Sequence, residues 1–322
     1  MLRIAFLSTI VTATLASAAE PQSGRPVAAA EQTADGPPMF VAVGYALRRM
    51  TSRDGLVWSN EQASPEHGQD KNYLLRGVAY GQGKIVAVGG SRTSRILVSE
   101  NYGRDWRDVS IEENFLSDVA FGNGRFVAAG YRGALHSADG ITWSKPTAVG
   151  GVSWRRVEFA AGKFVAIGTP GPAGSAPGWR ATSVDGVRWD PQPLADEGVP
   201  HALAYGGGRF VVVGDDGLCE TSDDGIRWQR RALPEGAESL TDLIWTGREF
   251  LASDGRAAFR SADGAVWTKF DARMPSRSCL GGGRFVGCSA GRLSTSTDAR
   301  AWTPVDTAHR LQITKIIHVP AP

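Results

Sequence analysis

Three side chains that can transfer protons stand out by their positions in the sequence: Asp118, Asp242 and His201. Each stands near the start of an apolar, strand-like run. Asp118 and Asp242 are candidates for the acid–base pair of a glycan-active enzyme. A hydrolase would require carboxyls about 5–5.5 Å apart for retention, or about 6.5–9.5 Å apart for inversion. A lone histidine in such a position commonly has a structural role, so His201 is the weaker candidate.

Basic side chains at the starts of similar runs suggest anion binding instead. They are Arg76, Arg155, Arg156, Arg277 and Lys315. Guanidinium groups bind carboxylate, sulfate or phosphate through paired hydrogen bonds. Trp179 and Arg180 end a long loop rich in Gly, Pro and Ala, where the tryptophan could stack on a sugar or a partner side chain. The alternative is that the arginines form ion pairs with nearby aspartates, keep the rim of the channel hydrated and bind no ligand.

A recurring motif indicates which elements must position these side chains. It reads Ser-x-Asp-Gly-x-x-Trp, as at 137–143. Allowing one inserted residue at 99–106 and an alanine for the glycine at Ala299, it occurs seven times. The tryptophans that end the copies lie 35 to 48 residues apart and are Trp58, Trp106, Trp143, Trp189, Trp228, Trp267 and Trp302. Such spacing is typical of one four-stranded propeller blade per repeat.

A hairpin pattern precedes the motif, as at 119–130, where two apolar runs flank a Gly-Asn-Gly turn. We therefore predict an all-β chain forming a single seven-bladed β-propeller of four-stranded antiparallel blades. The first repeat lacks its innermost strand, and residues 313–319 supply a matching pattern. We expect this C-terminal strand to pair with residues 39–45 and complete blade 1, because closure removes exposed sheet edges.

The motif itself is predicted to be structural. Its aspartate accepts hydrogen bonds from the backbone that follows, its glycine supplies a positive φ, and its tryptophan packs between adjacent sheets. The glycine-rich turns join two strands and open no helix, which excludes a phosphate-binding loop. Variable loops and the starts of the innermost strands share the opposite face, at the mouth of a central channel. A binding site is expected there.

The seven motifs resemble the Asp-box, or BNR, repeats of the sialidase-like propeller superfamily, over residues 38–319. The resemblance implies the fold and leaves the activity open, because similar repeats occur in sialidases, glycanases, sortilin-type receptors and photosystem II assembly factors. The chain has no Arg-Ile-Pro motif and no legible Tyr–Glu nucleophile pair, so sialidase catalysis is not carried over. In size and blade count it is more similar to the non-catalytic, photosystem II assembly factor-like propellers.

The overall composition limits the kinds of binding partner to be expected. A net charge of +2 over 322 residues argues against nucleic acid or an anionic membrane as a partner. No motif for a metal or a cofactor is present, and none is expected. We predict a monomeric, non-catalytic scaffold that binds a protein or carbohydrate, including anionic ones, through its variable-loop face. The alternative is a glycan-active hydrolase or lyase with its active site at the channel mouth.

The N-terminal residues predict export. Arg3 precedes an apolar stretch that ends in the cleavage pattern Ala-Ser-Ala at 16–18, and the stretch is too short to span a bilayer. We expect residues 1–18 to form a signal peptide, 19–37 a flexible lead-in and 38–322 the propeller, in the periplasm or outside the cell.

Export would make a disulfide chemically accessible. The chain has three cysteines, Cys219, Cys279 and Cys288. Cys279 and Cys288 flank a triple-glycine turn, which predicts neighbouring strands. Whether the two thiols pair depends on the register of those strands, which the sequence leaves open.

Overall fold

Short antiparallel strands account for nearly all the regular structure in a computed structural model of the chain. The model describes residues 40–112, 115–131, 133–171, 177–194, 198–307 and 312–320. The predicted signal peptide and lead-in lie outside these residues. Two 3-10 helices, Pro65–His67 and Lys71–Tyr73, are the helical elements of the described ranges. No helix there is long and apolar enough to cross a membrane.

The strands form seven sheets, which we number as blades 1 to 7 along the chain, each described from its innermost strand outwards. Blade 1 contains β27 (Ile313–His318), β1 (Phe40–Gly44), β2 (Arg49–Ser52) and β3 (Ser59–Gln62). Blade 2 contains β4 (Leu75–Gly81), β5 (Lys84–Gly89), β6 (Arg95–Ser99) and β7 (Arg107–Asp108). Blade 3 contains β8 (Leu116–Gly122), β9 (Arg125–Gly130) and β10 (Gly133–Ser137).

The remaining blades repeat this plan. Blade 4 contains β11 (Val152–Ala160), β12 (Lys163–Pro170), β13 (Trp179–Ser183) and β14 (Asp190–Pro193). Blade 5 contains β15 (Pro200–Gly206), β16 (Arg209–Gly214), β17 (Cys219–Ser222) and β18 (Gln229–Arg230). Blade 6 contains β19 (Asp242–Trp245), β20 (Phe250–Ser253), β21 (Ala258–Ser261) and β22 (Thr268–Phe270). Blade 7 contains β23 (Arg277–Gly281), β24 (Arg284–Ser289), β25 (Arg292–Ser296) and β26 (Thr303–Pro304).

The C-terminal strand closes the ring. β27 pairs antiparallel with β1, with Phe40 opposite His318 and Val43 opposite Lys315. The seven-bladed fold and its closure by residues near the C-terminus are therefore confirmed. Blade 3 departs from four full strands. Its outermost position is held by a single bridge between Ala134 and Thr147.

Hydrophobic cores lie between the blades. The buried residues form seven clusters, and each one joins neighbouring blades. The cluster around Phe40 and Val286, for example, joins blades 1 and 7 across the closure. Because every blade packs on two others, the innermost strands are held rigidly around the central channel.

The motif turns have the structural role predicted for them. In blade 3 the backbone N–H groups of Ile141 and Thr142 donate to Asp139 Oδ1 at 2.8 and 2.7 Å, and Gly140 donates to Ser137 Oγ at 2.8 Å. Trp143 Nε1 donates to the Gly140 carbonyl at 3.0 Å. These backbone hydrogen bonds hold the pKa of Asp139 well below its usual range.

The three cysteine thiols are free. In blade 7, Cys279 lies opposite Val286 and Cys288 lies opposite Arg277, so the two thiols are not a directly facing pair. Burial raises the pKa of Cys279 to about 12. It is therefore a neutral thiol at ordinary pH.

Candidate functional site

The innermost strands line the channel, and their shared register sets equivalent residues at one level. Residues at the same distance from the hairpin turn lie at the same depth in the channel, and we call such a set a level. At one level, five of the seven residues are charged. These seven residues, the charged level, are Gly77, Asp118, Arg156, Ala202, Asp242, Arg277 and Lys315. The sequence reasoning named all five charged members, and the structure brings them into one channel wall.

A second level stands one residue earlier, at the end of the channel where the variable loops enter. This mouth level consists of Arg76, Ser117, Arg155, His201, Thr241, Ser276 and Thr314. In five of the seven strands the pairing register shifts at this residue, which marks a β-bulge. A bulge places an extra residue in one strand and re-aims its side chain. The repeated bulge accounts for both Arg155 and Arg156 lining the same cavity.

The mouth encloses a cavity of about 450 Å³. Arg76, Arg155, Arg156 and Arg277 line it, and none of the described residues that line it carries a carboxylate. Among described residues, none of these four guanidinium groups forms an ion pair. The pairing of rim arginines with aspartates, which the sequence left as the alternative, is thus not what the described structure contains.

The four arginines are held near each other at a cost in charge repulsion. Burial lowers the pKa of Arg76, Arg155 and Arg277, and the positive charge of Arg156 lowers each further. Their hydrogen bonds go to backbone carbonyls: Arg156 Nη1 donates to Arg155 at 3.0 Å, and Arg277 Nη1 donates to Ser276 at 3.3 Å. A bound anion would offset this repulsion.

Below the mouth, a channel cavity of about 690 Å³ holds the acidic groups. Lys315 Nζ lies 3.7 Å from Asp118 Oδ2, which also accepts from the Val157 N–H at 3.4 Å. Asp242 accepts a short hydrogen bond from the Ser278 hydroxyl. Burial raises the pKa of Asp242, while Ser278 and the charges of Arg277 and Lys315 oppose that rise. Both aspartates thus share one channel, as the enzyme hypothesis requires.

Glu158 is a channel residue that sequence reasoning missed. Its Oε1 accepts from the Tyr205 N–H at 3.0 Å. Burial raises its pKa to about 7, partly offset by that hydrogen bond and by Lys315. The signal for it was a single charge inside the apolar run Val157-Glu158-Phe159, three residues after the bulge residue Arg155.

His201 lines the mouth but is already engaged. Its Nε2 lies 2.8 Å from Asp215 Oδ2, and the Ser239 hydroxyl donates to the other oxygen of the same carboxylate. The serine therefore bonds to the aspartate and not to the histidine. This is not the order of a catalytic triad, in which the histidine lies between the two.

Trp179 and Arg180 are not brought together with the mouth. Both belong to β13, the third strand of blade 4, where sequence reasoning expected the end of a loop. Arg180 Nη1 donates to Glu220 Oε2 at 2.6 Å, and its guanidinium lies 5.4 Å from the ring centre of Trp228. Trp179 packs against the cluster between blades 3 and 4. We therefore leave both residues out of the candidate site.

Within the described ranges, no group of three or more His, Cys, Asp or Glu side chains is placed to hold a metal ion. The polar groups that line the two cavities are arginines, a lysine, histidines, hydroxyls and channel carboxylates.

The fold is shared with proteins of several functions. Virginiamycin B lyase from Staphylococcus aureus has a TM-score of 0.60 at 9% identity, over 76% of this chain and 87% of that chain. YCF48 bound to a D1 peptide has a TM-score of 0.56 at 18% identity, over 80% and 85%. A chain of the nidogen/laminin complex has a TM-score of 0.52 at 11% identity, over 87% and 97%.

This structural similarity agrees with the class of the molecule, a seven-bladed β-propeller. At sequence identities this low, the similarity concerns the fold alone. No protein-family model matches the sequence, and no curated protein matches it. The structural neighbours include a lyase as well as proteins named for a bound peptide or a protein complex.

Proposed function

We propose that this protein is an exported, non-catalytic binding propeller that holds an anionic part of a protein or carbohydrate at its channel mouth. The observation that carries the proposal is the set of four arginines lining one cavity, without ion pairs among the described residues. Guanidinium groups that are partly buried and near each other bind anions strongly, because the anion restores the charge balance.

The rigid frame supports a binding role. The arginines come from the innermost strands of blades 2, 4 and 7, each packed against its neighbours. A preorganised site loses little side-chain freedom when a ligand arrives. Proteins of this fold that are named for a bound peptide or a partner protein give the proposal its precedent.

Binding of labelled acidic and neutral probes, measured by fluorescence polarisation, tests the proposal. Suitable probes are a polyglutamate peptide, a sulfated oligosaccharide and an uncharged oligosaccharide. We expect binding of the acidic probes alone, weakening as salt rises from about 50 to 300 mM. The double variant Arg155→Gln/Arg156→Gln should lose tenfold or more in affinity, at about one lost charge-assisted hydrogen bond each.

Arg188 and Arg227 offer a matched control, since they are 92% and 89% exposed and lie in motif turns on the opposite face. The variant Arg188→Gln/Arg227→Gln removes the same charge and should bind like wild type. Equal losses in the two double variants would mean that the mouth has no special role.

A second candidate is a glycan-active hydrolase or lyase. Three carboxyls, Asp118, Glu158 and Asp242, line one channel, and the raised pKa of Glu158 suits a proton donor near neutral pH. Release of reducing ends from a panel of glycans, lost in Glu158→Gln and Asp118→Asn, would favour this function. No turnover by wild type on a panel that contains a tightly bound glycan would exclude it for that ligand.

A further inference from the structure

Two serine hydroxyls stand among the arginines of the mouth without partners. Ser117 and Ser153 are 8% and 6% exposed, and both line the mouth cavity. Neither hydroxyl makes a hydrogen bond within the described part of the chain. Because both residues line the cavity, their hydroxyls are available to a ligand that enters the mouth.

The donors of the mouth converge from several directions. Arg76 comes from blade 2, Ser117 from blade 3, Arg155 and Arg156 from blade 4, and Arg277 from blade 7. A carboxylate has two oxygens in one plane, and one guanidinium satisfies both. Donors that surround a cavity on several sides suit a group whose oxygens also point in several directions.

Positive charge predominates at the mouth. Four guanidinium groups line its cavity, and none of the described residues lining it is a carboxylate. A doubly charged anion gains more from this set of charges than a singly charged one. Asp215, near Arg155, is hydrogen-bonded to His201 and Ser239, which leaves it little capacity to balance an arginine.

We propose that the mouth is a site for a tetrahedral, doubly charged oxyanion, namely a phosphoryl group, held by the four arginines together with Ser117 and Ser153. This inference rests on the proposed function, since it names the ligand class of the same site. A phosphoryl group occupies a small part of a cavity of about 450 Å³. The remaining space is in the range of small-molecule sites, so the organic part of a phosphate ester fits beside it.

Phe115 supports an organic ester. It lines the same cavity, its ring centre lies 5.9 Å from the Arg76 guanidinium, and it stacks on Tyr131 with ring centres 5.6 Å apart. The cavity therefore has one apolar wall beside its cationic ones. A sugar or other ring attached to the phosphoryl group would contact that wall.

Isothermal titration calorimetry with three probes at equal ionic strength tests the proposal. The probes are inorganic phosphate, glucose 1-phosphate and acetate. We expect both phosphates to bind at least about tenfold more tightly than acetate, which corresponds to one additional charge-assisted hydrogen bond. Tighter binding of glucose 1-phosphate than of inorganic phosphate would identify an ester as the ligand, and the reverse order a free anion.

Two variants separate the donors. Ser117→Ala/Ser153→Ala should weaken phosphate by about tenfold and leave acetate unchanged, because acetate needs only a guanidinium. Arg277→Gln should weaken both anions. The control Arg227→Gln, on the opposite face, should weaken neither.

The possible failures are distinguishable. If acetate or polyglutamate binds as tightly as phosphate, and the serine variant binds like wild type, the mouth is a carboxylate site. In that case the phosphoryl assignment is wrong, while the proposed function stands. If no acidic probe of either experiment binds, both are wrong.

Discussion

Replacing Glu158 by glutamine should change how the stability of the propeller depends on pH. Glutamine keeps the size of the side chain and an oxygen that can accept the Tyr205 N–H, 3.0 Å away in the wild type. What it removes is an ionisable carboxyl whose pKa burial raises from 4.5 to about 7. The variant thus isolates the effect of one charge in the channel.

The direction of the pH dependence follows from the number of protons bound by the folded and the unfolded protein. The folded protein holds the Glu158 proton up to about pH 7, whereas the unfolded chain releases it near 4.5. Between these values the folded state binds more protons, so the free energy of unfolding falls as pH rises. Below pH 4.5 the carboxyl is neutral in both states, and the loss is complete only above pH 7.

The displacement from 4.5 to about 7 corresponds to about 3 kcal/mol, at about 1.4 kcal/mol for each pH unit. This is an upper bound, because solvent in the channel reaches the carboxyl and screens its charge. Urea denaturation at pH 4.5 and pH 8 should show Glu158→Gln close to wild type at the lower pH and more stable than wild type at the higher pH.

Glu235 provides a control, since its side chain is exposed on the propeller surface and forms no ion pair with another described residue. Glu235→Gln should follow the wild-type pH profile. If Glu158→Gln also follows it at both pH values, Glu158 is not destabilised by ionisation in the channel. Burial would then not raise the pKa of Glu158 as inferred.

Three further substitutions test the architecture through the midpoint of urea unfolding. Ile316→Ala removes a side chain of the closing strand that is 5% exposed, and should cost about 2–5 kcal/mol; a loss under 0.5 kcal/mol, about the size of a surface effect, would contradict the closure. Gly77→Ala would place a Cβ 2.6 Å from the Asp118 Cα, a backbone contact that cannot move away cheaply. It should cost about 1–3 kcal/mol, and a neutral result would mean that blades 2 and 3 are less tightly packed there. Arg180→Ala removes the ion pair with Glu220, whose side chain is 2% exposed, and should cost about 1–3 kcal/mol; unchanged stability with weaker ligand binding would return Arg180 to the binding site.

The fold could be predicted from the sequence because the residues that form each turn are close together in the chain. Asp139, for example, accepts hydrogen bonds from Ile141 and Thr142, so the motif that predicts the turn consists of consecutive residues. The seven motif turns then fixed the blade count. The closing strand could be predicted because residues 313–319 have the pattern of an innermost strand and the first repeat lacks one.

The details that escaped prediction depend on pairing between distant residues. The sequence of blade 3 contains a full motif, yet its outer segment pairs with β10 only near Ser144 and Thr147. The His136 N–H donates to the Ser144 hydroxyl, at 3.0 Å, and not to a backbone carbonyl of a fourth strand. Trp179 resembled a loop residue because glycines and prolines precede it. It lies in a strand because it pairs with Gly168 and with Pro193.

The candidate site was only partly predictable for the same reason. Residues at the starts of apolar runs lie along the channel, because the blades repeat one register. Whether an arginine there meets a carboxylate depends on which blades face each other. That arrangement decided the contrast between Arg180, which pairs with Glu220, and Arg155, which has no such pair within the described structure.

The closing strand carries Thr314 and Lys315, which also belong to the channel wall. One strand therefore takes part in two structures, the first sheet of the ring and the wall of the cavity. A change that loosened β27 from β1 would open blade 1 and, in the same event, remove Lys315 from Asp118. The integrity of the ring and the arrangement of charges in the channel are thus coupled through a single strand pairing.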